Sequence, residues 1–262
     1  MSGVGARAII AGRGVLPDLL LQKAPARVVA FDGIAVEAEG TGVIPARFER
    51  LGALFDDLAA AGVTEICFAG AMSRPALDPT ALDDVTRALM PRLMQAMAQG
   101  DDALLRDIAA LFEERGVAVI GAHDLRPDLV ADVGCLAGEP LPEADVARAR
   151  AVLDALGPLD VGQGAVAGRG QVLGIETLQG TDAMLDFVAR TAPGSGGVLV
   201  KRPKPGQDLR FDMPAIGPDT LRAVAAAGLK GIEIAAGGVL LLDREAVLSA
   251  CAESGVALWA SP

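Results

Sequence analysis

Short apolar runs and amphipathic segments alternate along the first half of the chain. Buried strands are predicted where the apolar runs are brief and continuous, and helices where apolar residues recur at helical spacing. The predicted strands lie at residues 8–11, 27–31, 65–68 and 117–120, and the predicted helices at 17–21, 47–61, 81–99 and 102–115. This alternation predicts an α/β domain built on a parallel sheet with helices on both faces.

The periodicity fades between residues 125 and 142, where glycine, proline and acidic residues collect. Such a stretch is typical of a domain boundary, which we place near residue 130. The second half has strands and helices in a less regular order, and it predicts a mixed α/β domain whose topology stays undetermined. Two domains are therefore expected, at residues 1–130 and 131–262.

Composition narrows the classes of function. The net charge of −11 and the scarcity of aromatic residues disfavour a nucleic-acid-binding protein. Three scattered cysteines and a single histidine give no spacing typical of a metal site. No signal peptide and no apolar run of about 20 residues is apparent, so the sequence predicts a cytoplasmic protein whose contact with a membrane would be peripheral.

The segment Gly12-Arg13-Gly14 lies between the first predicted strand and the first predicted helix. Glycines at such a position let a phosphate approach the backbone, and the start of a helix favours anions. Asp32 lies about twenty residues further on, as a dinucleotide fingerprint expects, but Pro17 stands where that fingerprint has its third glycine. The segment is consistent with a nucleotide site and equally with a tight strand-to-helix turn.

Two further loops follow predicted strands of the same sheet. The first contains Gly70, Ser73 and Arg74, and an arginine there suits phosphate because its guanidinium is a planar fork of donors. The second contains His123. Functional loops of parallel sheets lie at the carboxyl ends of strands, so both loops are candidates for substrate binding. The structural alternatives are a capped loop and a hydrogen-bonded histidine.

In the second half, Gln163 lies between two glycines, and Thr181 and Asp182 open a predicted helix. The structural interpretation makes Thr181 the N-cap, with Asp182 complementing the helix dipole. In the functional interpretation, the Thr181 hydroxyl and the nearby backbone amides face a bound anion instead.

The most informative segment is residues 201–214, with the sequence KRPKPGQDLRFDMP. It concentrates cations, among them Lys201 and Lys204, in an acidic protein, and it places Asp212 between two apolar residues. Cleavage of a polyphosphate needs cations to neutralise the leaving group and a carboxylate to hold a metal or activate water. We therefore interpret this segment as functional rather than as a solvated basic loop.

Three methionines, Met90, Met94 and Met97, share one face of the helix predicted at residues 81–99. Adaptable methionine side chains are suited to an acyl-chain groove or a subunit interface. Ordinary core packing is nevertheless the role that we expect for them.

In order along nearly the whole chain, these segments resemble the UDP-2,3-diacylglucosamine pyrophosphatases of lipid A synthesis, in the two-domain type that is unrelated in fold to the calcineurin-like enzymes. One departure is Arg13, which stands where the family commonly has a glycine. The resembling segments are AGRGVLP at 11–17, FAG at 68–70, SRP at 73–75, GDDALLR at 100–106, GAH at 121–123, LDVGQGAV at 159–166, Glu176 with GTDAML at 180–185, and residues 201–217.

The resemblance implies an N-terminal Rossmann-like domain, a C-terminal domain of its own kind, and substrate held between them. It implies Mg²⁺ and hydrolysis to UMP and 2,3-diacylglucosamine 1-phosphate, with water attacking the phosphorus on the sugar side. Asp212 is thereby assigned as the catalytic or metal-binding residue. The UMP portion would be held by Gly12, Ser73 and Arg74, and the diphosphate and sugar by Gln163, Thr181, Asp182, Lys201 and Lys204; Arg13, Gly70 and His123 complete the substrate-binding set.

Two alternatives stay open at this stage. Gly12, Gly14 and Asp32 are consistent with an NAD(P)-dependent oxidoreductase. A nucleotide-sugar-binding or lipid-binding module without catalysis is the second alternative. The expected partner is a nucleotide-sugar lipid, and both a homodimer and peripheral contact with the cytoplasmic face of the inner membrane are left open.

Overall fold

The computed structural model describes residues 6–72 and 76–262. They form two compact units. The first unit comprises the described residues up to Pro127 together with Arg210–Asp212, and the second comprises Asp128–Leu209 with Met213–Pro262. No described helix is long and apolar enough to cross a lipid bilayer.

The first unit is a parallel sheet with connecting helices. The described strands pair in parallel in the order β3-β2-β1-β4-β5, which confirms the predicted α/β class of this part of the chain. The order changes direction between β1 and β4, as it does in Rossmann-like folds. The strands are β1 (Ala6–Ala11), β2 (Arg27–Phe31), β3 (Val43–Ala46), β4 (Val63–Ala69) and β5 (Ala118–Val119), and the helices α1 (Leu16–Leu21), α2 (Leu51–Ala60), α3 (Asp84–Met97), α4 (Asp101–Glu113) and α5 (Ala122–Leu125).

Both faces of this sheet are buried. On one face, Ile10 of β1 and Val29 of β2 belong to an apolar cluster that includes Leu54 of α2 and Phe112 of α4. The intervening residue Ile9 points to the opposite face and has no exposed surface. Burial on both faces explains why these strands are continuous apolar runs in the sequence.

The β3 strand was not predicted. It contains Pro45, which cannot donate a ladder hydrogen bond and therefore argues against a central strand. The structure places β3 at the edge of the sheet, where Pro45 pairs in register with Ala30. An edge strand tolerates proline, because one side of its backbone needs no partner strand.

Asp83 and Thr86 fix the starts of two helices. The Asp83 carboxylate accepts hydrogen bonds from the backbone N–H of Thr86 at 2.7 Å, in α3, and from that of Ala53 at 3.2 Å, in α2. The Thr86 hydroxyl accepts one from the N–H of Leu51 at 2.8 Å. These bonds satisfy N–H groups that the first turn of a helix leaves unpaired. Helix α2 accordingly begins at Leu51, four residues after the predicted start at residue 47.

The second unit has a mixed sheet in the order β6-β13-β11-β9-β7-β8, which confirms the predicted mixed α/β character. The central strands β9, β11 and β13 are parallel, whereas β6, β7 and β8 pair antiparallel to their neighbours. Two short strands, β10 and β12, pair separately. The strands are β6 (Gly134–Ala137), β7 (Gly164–Gly168), β8 (Gln171–Ile175), β9 (Val198–Lys201), β10 (Ala215–Ile216), β11 (Gly231–Ala235), β12 (Leu240–Leu241) and β13 (Ala257–Ser261), and the helices α6 (Glu143–Leu156), α7 (Gly180–Thr191), α8 (Pro218–Ala226) and α9 (Arg244–Ser254).

Helices cover both faces of the mixed sheet. Val198 and Val200 of β9 pack with α6, whereas Leu199 between them belongs to the cluster formed with α7, α8 and α9. The period of two along β9 thus divides the core into two layers. This arrangement leaves the ends of the strands as the places where polar side chains can gather.

Candidate functional site

The first group of predicted site residues lies at the carboxyl edge of the parallel sheet. Gly12 follows β1, Gly70 follows β4, and His123 lies in α5 just after β5. These three strands are neighbours, and the strand order reverses between β1 and β4. The crevice at such a reversal is where open α/β sheets bind ligands.

Gly12 and Gly70 bring two loops together at this reversal. The N–H of Gly12 donates to the carbonyl of Ala69 at 2.7 Å, and Arg13 and Ala71 exchange two backbone hydrogen bonds of 2.9 Å. A Cβ atom on Gly12 would lie 2.6 Å from the carbonyl oxygen of Ala71. Close approach of one loop to the other is therefore a sufficient reason for glycine here, whether or not a phosphate also approaches the backbone. The Arg13 side chain is exposed.

Two predicted residues of this group, Ser73 and Arg74, lie outside the described residues.

His123 packs against the start of its own helix. A Cβ atom on Gly121 would lie 2.4 Å from the Cε1 atom of the His123 ring, so a side chain at this position would displace the imidazole. The buried Nδ1 atom finds no hydrogen-bond partner among the described residues, and Nε2 lies 3.8 Å from a carboxylate oxygen of Asp124. An unsatisfied ring nitrogen at the carboxyl edge of the sheet is a group that a ligand could engage.

Asp212 belongs to the first unit, together with its two preceding neighbours. Phe211 packs against the apolar cluster of that unit, and Arg210 donates to Glu113 of α4 at 2.7 Å. The half-buried Asp212 is thus attached to the first unit through an aromatic contact and an ion pair beside it.

In the second unit, the structure brings Thr181 and Lys201 together and adds Glu176. The Lys201 ammonium donates to the Thr181 hydroxyl at 2.6 Å, and that hydroxyl donates to the carboxylate of Glu176 at 3.0 Å. Lys201 Nζ itself lies 3.9 Å from Glu176 Oε1. The Lys201 side chain is 9% exposed, and its burial lowers its pKa, while the charges of Glu176 and Asp182 act to raise it.

Sheet register explains how these side chains meet. Lys201 ends β9 and pairs with Gly164 at the start of β7. On the other side of β7, the N–H of Glu176 donates to the carbonyl of Gly164 at 2.8 Å. Gly164 therefore lies between Glu176 and Lys201, and a Cβ atom on it would come within 2.4 Å of the Glu176 Oε2 atom. The absent side chain leaves space for the carboxylate to reach towards the lysine.

The loop before β7 and the loop after β9 are joined by polar contacts. The Lys204 ammonium pairs with the carboxylate of Asp160. The N–H of Arg202 donates to the carbonyl of Gln163 at 3.0 Å. Gln163 and Lys204 are thus held in the same pair of loops as Lys201, at the end of β9.

One interpretation of Thr181 is wrong. Helix α7 begins at Gly180 and its N-cap is Gln179, so Thr181 lies inside the first turn rather than at the cap. Its hydroxyl bonds to Lys201 and Glu176 instead of to the helix backbone. Gly180, with φ of +84°, lets the chain turn into the helix at that point.

The expectation of core packing is wrong for two of the three methionines, Met94 and Met97, whereas Met90 is half-buried. Met94 is 61% exposed and Met97 is 37% exposed, so neither is a core residue.

The predicted site residues therefore form two groups. Gly12, Arg13, Gly70, His123 and Asp212 lie in the first unit, whereas Gln163, Thr181, Asp182, Lys201 and Lys204 lie in the second. The sequence contains Glu176 only within a segment that resembles the family and gives no sign of its contact with Lys201, which follows from the pairing of β8 with β7. In the first group, Gly12 and Gly70 follow the two strands at the strand-order reversal, and the second group contains the buried cation Lys201.

Comparison with known proteins agrees with the resemblance found in the sequence. Residues 6–129 match the model of the LpxI N-terminal domain, and residues 132–259 match the model of the LpxI C-terminal domain. A curated relative from Caulobacter vibrioides, named UDP-2,3-diacylglucosamine pyrophosphatase LpxI, is 41% identical over 217 residues, which cover 79% of this chain and 78% of the relative. Because these matches extend over nearly the whole sequence, the chain belongs to the LpxI family.

Proposed function

We propose that this protein hydrolyses the pyrophosphate bond of UDP-2,3-diacylglucosamine and produces UMP and 2,3-diacylglucosamine 1-phosphate. The 41% identity with a relative that is named for this activity carries the proposal. Features of each unit, taken separately, support it.

The first unit supports recognition of the nucleotide. Its sheet has the strand order of a Rossmann-like fold, and the loops at Gly12 and Gly70 flank the point where that order reverses. Open α/β sheets bind ligands at the carboxyl ends of their strands beside such a reversal. The Nδ1 atom of His123, which has no hydrogen-bond partner in the described part of the chain, lies after a strand two places from β1 and offers a polar group at the same edge of the sheet.

The second unit supports recognition of the diphosphate. Lys201 is a cation withdrawn from water, and the Coulomb attraction between such a charge and a phosphate is stronger than it would be at the surface. The burial that makes this attraction strong also disfavours the charged lysine when no anion is bound. A diphosphate beside Lys201 would relieve that cost.

In the proposed reaction, the oxygen of a water molecule forms a bond to the phosphorus on the sugar side. The bond between that phosphorus and the bridging oxygen breaks, and the bridging oxygen leaves with UMP. The water loses a proton to solvent as the new sugar phosphate forms. Lys201 and Lys204 would neutralise the diphosphate, and Asp212 would hold a metal ion or orient the attacking water.

Mg²⁺ is the metal that we propose. The described residues contain no group of three or more histidine, cysteine, aspartate or glutamate side chains that could hold a metal ion. Mg²⁺ is commonly bound by one or two carboxylates together with waters and substrate phosphates, so Asp212 fits an ion that is shared with the diphosphate. When bound, Mg²⁺ supplies neutralisation of the charge on the phosphoryl oxygens.

Because the substrate carries two acyl chains, we also propose that the protein works in the cytoplasm in peripheral contact with the inner membrane.

Isotope labelling tests both the activity and the site of attack. The purified protein is incubated with UDP-2,3-diacylglucosamine and Mg²⁺ in water enriched in ¹⁸O, and both products are analysed by mass spectrometry. The proposal predicts one ¹⁸O atom in 2,3-diacylglucosamine 1-phosphate and none in UMP. Label in UMP would show attack on the other phosphorus, and absence of both products would refute the activity. A parallel incubation with NAD tests the oxidoreductase alternative, which predicts reduction of NAD.

A further inference from the structure

Glu176 is a carboxylate that the proposed reaction leaves without a role. It directly follows β8, and only 13% of its side chain is exposed. Its Oε1 atom accepts the hydrogen bond from Thr181, whereas its buried Oε2 atom has no hydrogen-bond partner among the described residues. Leaving a carboxylate oxygen buried and unpaired is costly, so this arrangement requires an explanation.

Two glycines, Gly162 and Gly164, lie directly against Glu176. A Cβ atom on Gly162 would lie 2.2 Å from the Glu176 carbonyl oxygen, and one on Gly164 would lie 2.4 Å from Oε2. Neither glycine has a positive φ, so neither is required by backbone conformation. The Gly162 position therefore excludes a side chain because the Glu176 backbone occupies the adjacent space, and a side chain at Gly164 would displace the Glu176 carboxylate.

A structural role alone does not account for a carboxylate here. Replacing a buried ion pair with apolar residues of similar volume is often neutral or stabilising, so a buried pair is weak evidence for stability. The pair formed by Glu176 and Lys201 does have one consequence that apolar residues would not have: it keeps a cation in a buried place. The charged groups that act on Lys201 are the carboxylates of Glu176, after β8, and of Asp182, in α7.

We infer that Glu176 is a positioning residue, which acts through the Thr181 hydroxyl to keep the Lys201 ammonium charged and directed at the anionic part of the substrate. The inference rests on the proposed function for the identity of that anion. Glu176 does not touch the reacting atoms in this account. Its carboxylate fixes the orientation of Thr181, and Thr181 fixes the position of Nζ.

The direction of the pKa shift agrees with this role. Burial lowers the pKa of Lys201, and the negative charge of Glu176 opposes that shift. Removing the charge would let the pKa fall further, so the ammonium would lose its proton at a lower pH. Binding of an anion that depends on this ammonium would then weaken at that lower pH.

The first test is an NMR titration of the lysine ammonium groups in wild-type protein and in Glu176→Gln, with Lys201→Arg used to assign the Lys201 signal. Glutamine keeps the shape of the side chain and removes its charge. The inference predicts a lower pKa for Lys201 in Glu176→Gln. The matched control is Glu245→Gln, at an exposed glutamate of α9, which should leave the Lys201 titration unchanged.

The second test is kinetic. Glu176→Gln should lower kcat/KM by about tenfold or more, chiefly by raising KM, as expected when a hydrogen bond to a charged group is lost. The decline of kcat/KM at alkaline pH should also begin at a lower pH. Glu176→Asp keeps the charge and should restore the alkaline limb of the pH profile.

A folded Glu176→Gln protein with the wild-type titration of Lys201 and the wild-type KM would overturn the inference. If that variant does not fold, Thr181→Val interrupts the same chain of hydrogen bonds, and an unchanged KM there would equally overturn it. The titration does not require turnover. A wild-type protein that releases no UMP would therefore refute the proposed function, while the titration would still decide whether Glu176 controls the charge of Lys201.

Discussion

Gly12 and Gly70 each occupy the space that a side chain on the other would need. A Cβ atom on Gly12 would lie 2.7 Å from the carbonyl carbon of Gly70, and a Cβ atom on Gly70 would lie 2.7 Å from the carbonyl carbon of Gly12. The two residues follow neighbouring strands, so their contact fixes the distance between two loops at the carboxyl edge of the sheet. The proposed nucleotide site depends on that distance.

Gly12→Ala should destabilise the first unit by about 2 kcal/mol or more, because the new methyl group would overlap backbone atoms that cannot rotate away. Gly62→Ala is the matched control. Gly62 has φ of +66° and nothing within 4 Å of the added Cβ, so that variant should lose only about 1 kcal/mol from backbone strain. Urea unfolding measures the loss of stability in each variant. Equal losses in the two variants would show that the loops separate without cost.

Stability of the first unit should fall as the pH rises above 9, the ordinary pKa of the Cys67 thiol. Burial raises the pKa of Cys67 to about 12, so between these values the unfolded chain loses a proton that the folded chain keeps. The loss amounts to about 1.4 kcal/mol for each pH unit in that range. Cys67→Ala should remove this part of the slope. Urea unfolding from neutral to alkaline pH measures this slope in both proteins. The same dependence of the free energy of unfolding on pH in wild type and Cys67→Ala would contradict the assignment.

The second unit contains a testable ion pair between Arg150 of α6 and Glu233 of β11. The guanidinium donates to the two carboxylate oxygens at 2.6 and 2.7 Å, and the Glu233 side chain is only 8% exposed. Arg150→Met should cost about 3 kcal/mol, because it leaves a buried carboxylate without its partner.

Arg148→Met is the matched control for this prediction, because Arg148 is an exposed residue of the same helix, and it should cost less than about 0.5 kcal/mol. The double variant Arg150→Met/Glu233→Gln should lose less stability than the sum of its single variants. Strict additivity in chemical unfolding would contradict the pairing.

Chelation should separate activity from folding. With EDTA, release of UMP should stop and then return when excess Mg²⁺ is added, whereas the circular dichroism melting curve should not move. The expected difference follows from an ion that is held largely by substrate and water rather than by a protein cage. Undiminished turnover in EDTA would refute the proposed metal, and a lower melting temperature would point to a structural ion.

The sequence predicted the central strands well, for a physical reason. Strands buried on both faces are continuous apolar runs, and those that became β1, β2 and β4 stand out from the amphipathic helices between them. The β3 strand could not be recognised in the same way. Its proline is acceptable only because the strand lies at an edge, and edge position is a property of the assembled sheet.

The candidate site was predicted only in part. The resemblance implied that Lys201 and Thr181 would both contact the diphosphate and sugar, and the structure joins the two side chains by a hydrogen bond. The contact between Glu176 and Lys201 could not be predicted, because it depends on the register of β8 against β7 and of β7 against β9. The register of three strands places Gly164 between the carboxylate and the lysine. The spacing of residues along the sequence does not reveal this register.

The most direct test of the proposed function is release of UMP from UDP-2,3-diacylglucosamine by the purified protein in Mg²⁺, with wild type and Asp212→Asn compared side by side. Asparagine keeps the shape of the side chain and removes the charge that would hold the metal or orient the water. The account predicts rapid release by the wild type and a loss of at least about a hundredfold in the variant, with an unchanged circular dichroism spectrum. Wild-type rates in Asp212→Asn, or no UMP from either protein, would contradict it.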